Sequence, residues 1–147
     1  MTFEDYLEKN GELTYSNVGT SMMPLLRQHR DLFTVRRKGR ARCRAGDVVL
    51  YKRPPDRYVL HRIIKVLPDS YVILGDNCFA KEYGIKDSDI LAVMTGFVRG
   101  GREHSVNDRG YRLYSAVIMH TVPVRIAVKK LKFRLKGLAK RILYGKK

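Results

Sequence analysis

Three shortages in the composition narrow the classes of protein to which the chain can belong. It contains no tryptophan, only two cysteines, and no aspartate or glutamate after Asp108. Cys43 and Cys78 lie far apart and match no zinc-binding spacing, which argues against a zinc finger. Their positions leave open whether the two thiols pair in a disulfide or stay reduced.

Long hydrophobic runs are also missing. No stretch reaches the roughly 20 consecutive apolar residues that span a bilayer, and the nearest candidate, residues 113–124, contains His120 and Pro123. Residues 1–16 are acidic and lack the apolar core of a signal peptide. We therefore expect a cytoplasmic or peripherally membrane-associated protein.

Charge is distributed unevenly along the chain. Its 147 residues, enough for one domain with its own core, include 30 Lys and Arg against 14 Asp and Glu, a formal net charge of +16. Residues 109–147 hold 12 of the basic residues and none of the acidic ones. This asymmetry predicts an anionic partner for the tail, either lipid head groups or nucleic acid.

Short segments rich in β-branched and aromatic residues occupy the middle of the chain. We predict strands at residues 32–35, 47–51, 57–66, 71–74 and 90–98, because turn residues such as Gly, Pro and Asp separate these segments. The spacing predicts a mainly β protein, with curled antiparallel sheets or a partly open barrel.

Helices are predicted at both ends. Thr2 and Asp5 form a capping-box pattern and Gly11 is a natural stop, so we predict a short helix over residues 3–10. After Gly110 apolar residues recur every three or four positions, at Val128, Leu131, Leu135, Leu138 and Ile142. We accordingly divide the chain into a β domain, residues 1–110, and a basic amphipathic helical tail, residues 111–147.

The tail has three possible roles. Residues 125–147 combine basic residues with an apolar stripe, a pattern typical of helices in an anionic membrane interface. The stripe could instead pack on the β domain, with the charges as a solvated face. Nucleic acid is a third partner, less favoured, although aromatic and basic residues do mix here.

Ser21 is the first candidate for chemistry. A serine hydroxyl needs a base to take its proton and donors for the oxyanion that forms on the attacked carbonyl. The turn entered at Gly19 suits this, because small residues let backbone N–H groups approach a substrate. Taken alone, the same segment is also compatible with an ordinary surface turn.

His61 is the candidate base, and Asp76 and Glu82 are candidate supporting acids. Neutral imidazole can accept the serine proton and return it to a leaving amine, although a structural, half-buried histidine would occupy the same strand position. Asp76 could orient the imidazole or pair with an arginine and brace its turn, and the bracing role is favoured. Glu82, six residues on, is the second candidate.

These residues belong to five blocks that resemble one family. The blocks are Gly19–Pro24, Arg30-Asp31-Leu32-Phe33, Gly46-Asp47-Val48-Val49, His61-Arg62 and Gly75-Asp76-Asn77. In this order they resemble the signal peptidase I superfamily, which also includes LexA-type self-cleaving repressors. The resemblance covers residues 17–98.

The resemblance implies a Ser/His peptidase. Ser21 would be the nucleophile and His61 the base, where most bacterial members have lysine and the endoplasmic reticulum and archaeal branch has histidine. Met22 would pack beside a groove for an extended peptide, and no metal or organic cofactor is implied. The chain departs from the family in lacking a membrane helix before the serine block and in the residues after Asn77.

We interpret the chain as a serine endopeptidase acting on an extended precursor or leader peptide, with Ser21, His61 and Asp76 in the site and Gly19 and Met22 beside it. One alternative is an inactive binding module that uses its tail on membrane or nucleic acid. Another is a LexA-type self-cleaving regulator, against which the eighteen residues before Gly19 argue, since they supply no DNA-binding domain.

Overall fold

The structure, a computed structural model, describes residues 1–145, and residues 146 and 147 of the predicted tail lie outside the described residues. Residues 1–145 form eight strands and three α-helices in the order α1 (Phe3–Asn10), β1 (Glu12–Ser16), β2 (Leu32–Arg37), β3 (Val48–Arg53), β4 (Arg57–Val66), β5 (Tyr71–Leu74), β6 (Glu82–Ile85), β7 (Ile90–Arg99), β8 (Arg102–Ser105), α2 (Arg109–His120) and α3 (Val122–Tyr144), with one 3-10 turn at Asp87–Asp89 before β7.

The eight strands form one open sheet in which all neighbours are antiparallel. The strand order is β1-β2-β7-β3-β4-β5-β6, and β8 pairs with β7. Register shifts interrupt the pairing within β2–β7, β3–β7, β4–β5 and β5–β6. Such bulges bend strands and increase their twist, so the sheet curls around its core.

The core has two parts, and β3 contributes to both. Val48 and Leu50 pack with one hydrophobic cluster, while Val49 and Tyr51 pack with the other. A strand buried on both faces reads as a continuous apolar run, which explains why this segment shows no polar alternation. His61, the candidate base, pairs with Val49 of this strand from β4.

The predicted helix and all five predicted strands are confirmed. Thr2 and Asp5 form the capping box through reciprocal hydrogen bonds of 3.0 and 3.1 Å, and Gly11 ends α1 with φ +74°. The sequence analysis missed β1, β6 and β8. These strands carry few buried side chains and are held by backbone pairing to their neighbours.

The basic end of the chain forms two helices rather than one. Pro123 lies in the first turn of α3, where its missing N–H removes a hydrogen bond and favours a break at Thr121. The helix α2 packs on the sheet through Tyr111, Tyr114 and Ile118. Across residues 1–145, no helix is both long and apolar enough to cross a membrane.

Candidate active site

The turn that contains Ser21 follows β1 and is stabilised by hydrogen bonds within its own segment. Gly19 has φ +93°, a left-handed conformation that favours glycine. The buried Asn17 side chain donates to the carbonyls of Gly19 and Leu26, at 3.2 and 3.4 Å. The chain from Gly19 to Leu26 is therefore a compact loop closed by one asparagine, with Ser21 near its start.

The turn after β5 holds the serine from the other side. The Asn77 amide donates to the Ser21 carbonyl at 2.7 Å, and the Asn77 side chain donates to the Thr20 carbonyl at 3.0 Å. The Gly75-Asp76-Asn77 block thus lies against the serine loop, although more than fifty residues separate the two segments in the sequence.

Ser21 and His61 face one cleft of about 800 Å³. Its walls are the serine loop, the first half of β4 and the segment from Asn77 to Glu82. Among residues 1–145, no hydrogen bond joins the Ser21 hydroxyl to the His61 ring. Catalytic hydrogen bonds are often long in enzymes without substrate, so the shared cleft is the informative observation.

Gly75 lies between the two residues and shows how close they are. A Cβ atom placed on Gly75 would be 2.8 Å from the Ser21 carbonyl oxygen and 3.0 Å from His61 Cδ2. The Ser21 carbonyl oxygen and His61 Cδ2 are therefore at most about 6 Å apart. In the imidazole ring Cδ2 is bonded to Nε2, the nitrogen that would take the serine proton.

His61 is a buried, neutral histidine. The residue is 7% exposed, and burial, with a further contribution from the Arg53 charge, lowers its pKa to about 4. Both effects disfavour the imidazolium form. Near neutral pH one ring nitrogen is therefore free to accept a proton, with a basicity below that of an ordinary histidine because the imidazolium is disfavoured.

A chain of hydrogen bonds supports His61 from behind. The Tyr51 hydroxyl lies 3.2 Å from His61 Nδ1 and donates to Glu82 Oε1 at 3.0 Å. Arg53 pairs with Glu82 and also donates to the Tyr51 hydroxyl at 3.4 Å. Burial raises the pKa of Tyr51 to about 12, so the phenol keeps its proton.

This arrangement favours one tautomer of the imidazole. When the Tyr51 hydroxyl donates its single proton to Glu82, the phenol oxygen is free to accept from His61 Nδ1–H. The proton on Nδ1 leaves Nε2 as an acceptor. That is the tautomer a general base needs when its nucleophile approaches Nε2.

The Asp76 carboxylate makes no hydrogen bond to the imidazole. Its carboxylate accepts from Arg62 Nε at 2.8 Å and Arg62 Nη2 at 2.9 Å, and also from the Tyr114 hydroxyl at 2.9 Å. The Asp76 carbonyl accepts from Arg125 at 2.7 Å. Asp76 therefore braces β4, α2 and α3 around the serine-holding turn, and it is Glu82 that reaches His61 through Tyr51.

Met22 lies in the core rather than in the cleft. It is 1% exposed and packs with Leu25, Leu26 and other residues of the first cluster. The sequence-based expectation placed it beside the substrate groove, but within residues 1–145 the cleft lining does not include it. Because the serine loop folds back on the sheet, its apolar side chains point inward and anchor the loop.

The backbone around Ser21 leaves a donor available. Among the described residues the Ser21 amide donates no hydrogen bond, whereas the Met23 amide donates to the Thr20 carbonyl at 3.2 Å. A free N–H beside the nucleophile can stabilise an oxyanion. Gly19, also in the cleft wall, has open space where a side chain would project.

Both cysteines are free thiols. Cys43 is buried in the second cluster, and burial raises its pKa to about 11. Cys78 lines the cleft, and burial raises its pKa as well. Neither thiol is therefore set up as the nucleophile, since reactive cysteines have a lowered pKa.

Tyr51 and Arg53 were missed at the sequence level, although one signal could have found Tyr51. The short turn between β3 and β4 sets the register, which pairs Val49 with His61 and Tyr51 with Val59. Alternate residues share a face, so Tyr51 and His61 are diagonal neighbours. The contribution of Glu82 depends on β6, which the pattern did not reveal.

Residues 1–145 contain no group of three or more His, Cys, Asp or Glu side chains arranged to hold a metal ion. Comparison of the chain with models of protein families, with characterised proteins and with solved structures finds no match in any of the three.

Proposed function

We propose that this chain is a serine endopeptidase of the signal peptidase I and LexA fold type, acting on an extended precursor or leader peptide. The observation that carries the proposal is the cleft shared by Ser21 and His61, in which the Tyr51 hydroxyl lies 3.2 Å from His61 Nδ1. The order of the five motif blocks named above also supports it.

The proposed reaction has two steps. Ser21 Oγ attacks the peptide carbonyl while His61 Nε2 takes the hydroxyl proton, and the Ser21 amide stabilises the oxyanion. The C–N bond then breaks, His61 returns the proton to the leaving amine, and an acyl-enzyme remains. Water attacks the ester with His61 again as base, which releases the acid product and restores the serine hydroxyl.

The free edge of β4 offers a place for the substrate backbone. Residues 57–62 pair with β3 along one edge, while pairing with β5 begins only at Arg62. Residues 57–61 therefore have an open second edge, and all five line the cleft. An extended peptide can add to such an edge by main-chain hydrogen bonds and so bring its scissile bond to Ser21.

The charge of the cleft indicates a substrate preference. Arg53, Arg57 and Lys81 line it, against one carboxylate, Glu82, which Arg53 already pairs. Arg57 and Lys81 are exposed. Acidic residues flanking the scissile bond are expected to strengthen binding, which peptides differing only in Glu or Lys at those positions will measure.

Substitution of the two reacting residues tests the proposal. Ser21→Ala and His61→Ala are expected to abolish cleavage of peptides with small residues before the cut, and Ser21→Ala to abolish labelling by a serine-acylating probe. Ser88→Ala and His120→Ala, on exposed residues outside the cleft, are matched controls and should retain activity. Both reacting-residue variants behaving as wild type would overturn the assignment.

Tyr51→Phe tests the positioning role of the phenol. The variant keeps the ring but leaves His61 Nδ1–H without its acceptor, so kcat is expected to fall about 10- to 100-fold with KM nearly unchanged. The pH profile should change too, because removing the hydrogen bond to Nδ1–H changes the pKa of His61. An unchanged kcat and pH profile would show that Tyr51 is only a packing residue.

A binding module without catalysis is the second candidate. The observation in its favour is that the Ser21 hydroxyl makes no hydrogen bond to His61 among residues 1–145. Failure of Ser21 to react with the acylating probe, in protein that is folded and binds peptide, would favour that function. Cleavage of a peptide in the same preparation would exclude it.

A further inference from the structure

The apolar face of α3 has no partner within the described chain. Its six members follow one another at intervals of three or four residues and therefore share one face. This outer stripe consists of Val124, Val128, Leu131, Leu135, Leu138 and Ile142, which are between 44% and 71% exposed. Packing of the stripe on the β domain, one of the three roles considered for the tail, is therefore wrong.

The opposite face of α3 is the one that holds the body. Val122 is buried, Arg125 donates to the Asp76 carbonyl, and Lys129 donates to Asn77. Phe133, two and a half turns from Val124, pairs with Phe79 at a centroid distance of 6.1 Å. These contacts fix the rotation of the helix, so the outer stripe points away from the sheet.

Basic side chains flank the outer stripe on both sides. The helix contains eight Lys and Arg and no Asp or Glu. Lys132 and Lys136 lie on one flank, and Lys130, Arg134 and Arg141 lie on the other, as their spacing from the stripe requires. An apolar face between two basic borders is the pattern of a helix that lies in a membrane interface.

The positive charge of α3 favours one of the three possible partners over the other two. A second copy of this chain would bring two basic helices together without any acidic residue to offset them, and the repulsion opposes a dimer through this face. Nucleic acid would engage the basic flanks but leave the six apolar side chains of the outer stripe in water. An anionic lipid surface accommodates both features, because acyl chains take the stripe and head groups take the cations.

We propose that α3 docks the protein on anionic bilayers, lying in the plane of the interface with the outer stripe inserted. The inference goes beyond the proposed peptidase and does not depend on it. Vesicle binding and peptide cleavage are separate measurements, so either can fail alone.

The full chain is tested with vesicles of phosphatidylcholine alone and with 30 mol% phosphatidylglycerol. Binding to the anionic vesicles is expected to be at least about 10-fold tighter and to weaken as salt rises. Equal binding to both compositions, or no binding to either, would overturn the proposal.

Two double variants, each with a matched control, distinguish the contribution of the outer stripe from that of the basic side chains. Leu135→Gln with Leu138→Gln should weaken anionic-vesicle binding at least about 10-fold, whereas Val66→Gln with Tyr83→Gln, on exposed residues of the sheet, should not. Arg134→Gln with Arg141→Gln should weaken binding more than Arg40→Gln with Lys65→Gln, an equal charge change on the body. Circular dichroism and a cooperative thermal transition check that each variant is folded.

The remaining outcomes also decide the matter. Tight RNA binding that is unaffected by the leucine variants, combined with weak vesicle binding, would assign α3 to nucleic acid. A dimer in solution that the leucine variants convert to monomer, without vesicle binding, would assign the outer stripe to self-association. Either result overturns the lipid proposal.

Discussion

Replacing Asp76 with asparagine is expected to destabilise the whole fold rather than to act on the chemistry alone. The Arg62 and Asp76 side chains are 0% and 1% exposed, and two hydrogen bonds of 2.8 and 2.9 Å join them. Burial opposes the charge of Arg62 while the bonds to Asp76 raise its pKa, and because arginine is not deprotonated in proteins the guanidinium remains charged in the variant as well. Asp76→Asn therefore leaves a buried cation without its counter-charge.

The magnitude follows from that geometry. Removing one partner of a buried ion pair costs roughly 3–5 kcal/mol, and the Tyr114 hydroxyl loses a charged acceptor as well. For a domain of this size each kcal/mol lowers Tm by about 2–4 °C, so a fall of roughly 6–20 °C is expected. Urea denaturation followed by far-UV circular dichroism measures the same loss at constant temperature.

Two controls make the measurement specific. Asp69→Asn, at an exposed turn, should leave the free energy of unfolding within about 0.5 kcal/mol of wild type. Combining Asp76→Asn with Arg62→Met should cost less than the sum of the two single changes, because the second change removes the unpaired cation. If Asp76→Asn keeps the wild-type Tm but loses activity, the bracing role is wrong and Asp76 acts in catalysis.

Three further changes follow from the site. Gly75→Ala places a methyl group 2.7 Å from Cys78 Sγ, 2.8 Å from the Ser21 carbonyl oxygen and 3.0 Å from His61 Cδ2. We therefore expect the free energy of unfolding to fall by about 1–3 kcal/mol and most activity to be lost; wild-type kcat would refute the close approach. Gly19→Ala, at φ +93° with open space around it, should cost about 1–2 kcal/mol from backbone strain alone, measured as a shift in the urea midpoint. His61 has a pKa lowered to about 4, so the unfolded chain binds its proton first as pH falls; stability is complete above pH 6.5 and declines by up to roughly 3 kcal/mol towards pH 4. An NMR titration of His61 with a midpoint near 6.5 would contradict this.

The centre of the fold was predictable because its strands carry their own signal. Buried β-branched runs such as β3 and β5 differ in composition from the turns around them. The edge strands β1, β6 and β8 do not, because backbone pairing holds them more than side-chain burial. The division of the basic end at Thr121 was foreseeable from Pro123 but was outweighed by the continuous helical pattern.

The candidate site was also predictable only in part. Motif order pointed to Ser21 and His61, and both line one cleft. The connection from His61 through Tyr51 to Glu82 was not foreseeable, because it needs the register of two hairpins and the position of an edge strand. The position of Met22 likewise depends on how the serine loop folds back, which residue type alone does not specify.

The hydrogen bonds from α3 to the turn after β5 determine how many residues can be removed from the C-terminal end without losing the site. A fragment ending at residue 110 would lose Tyr114, Arg125 and Lys129 together, and with them the contacts that these residues make with Asp76 and Asn77. A fragment ending near residue 130 would keep all three and discard most of the exposed helix. The smallest competent truncation is therefore expected to end inside α3, well past the point where the composition turns basic.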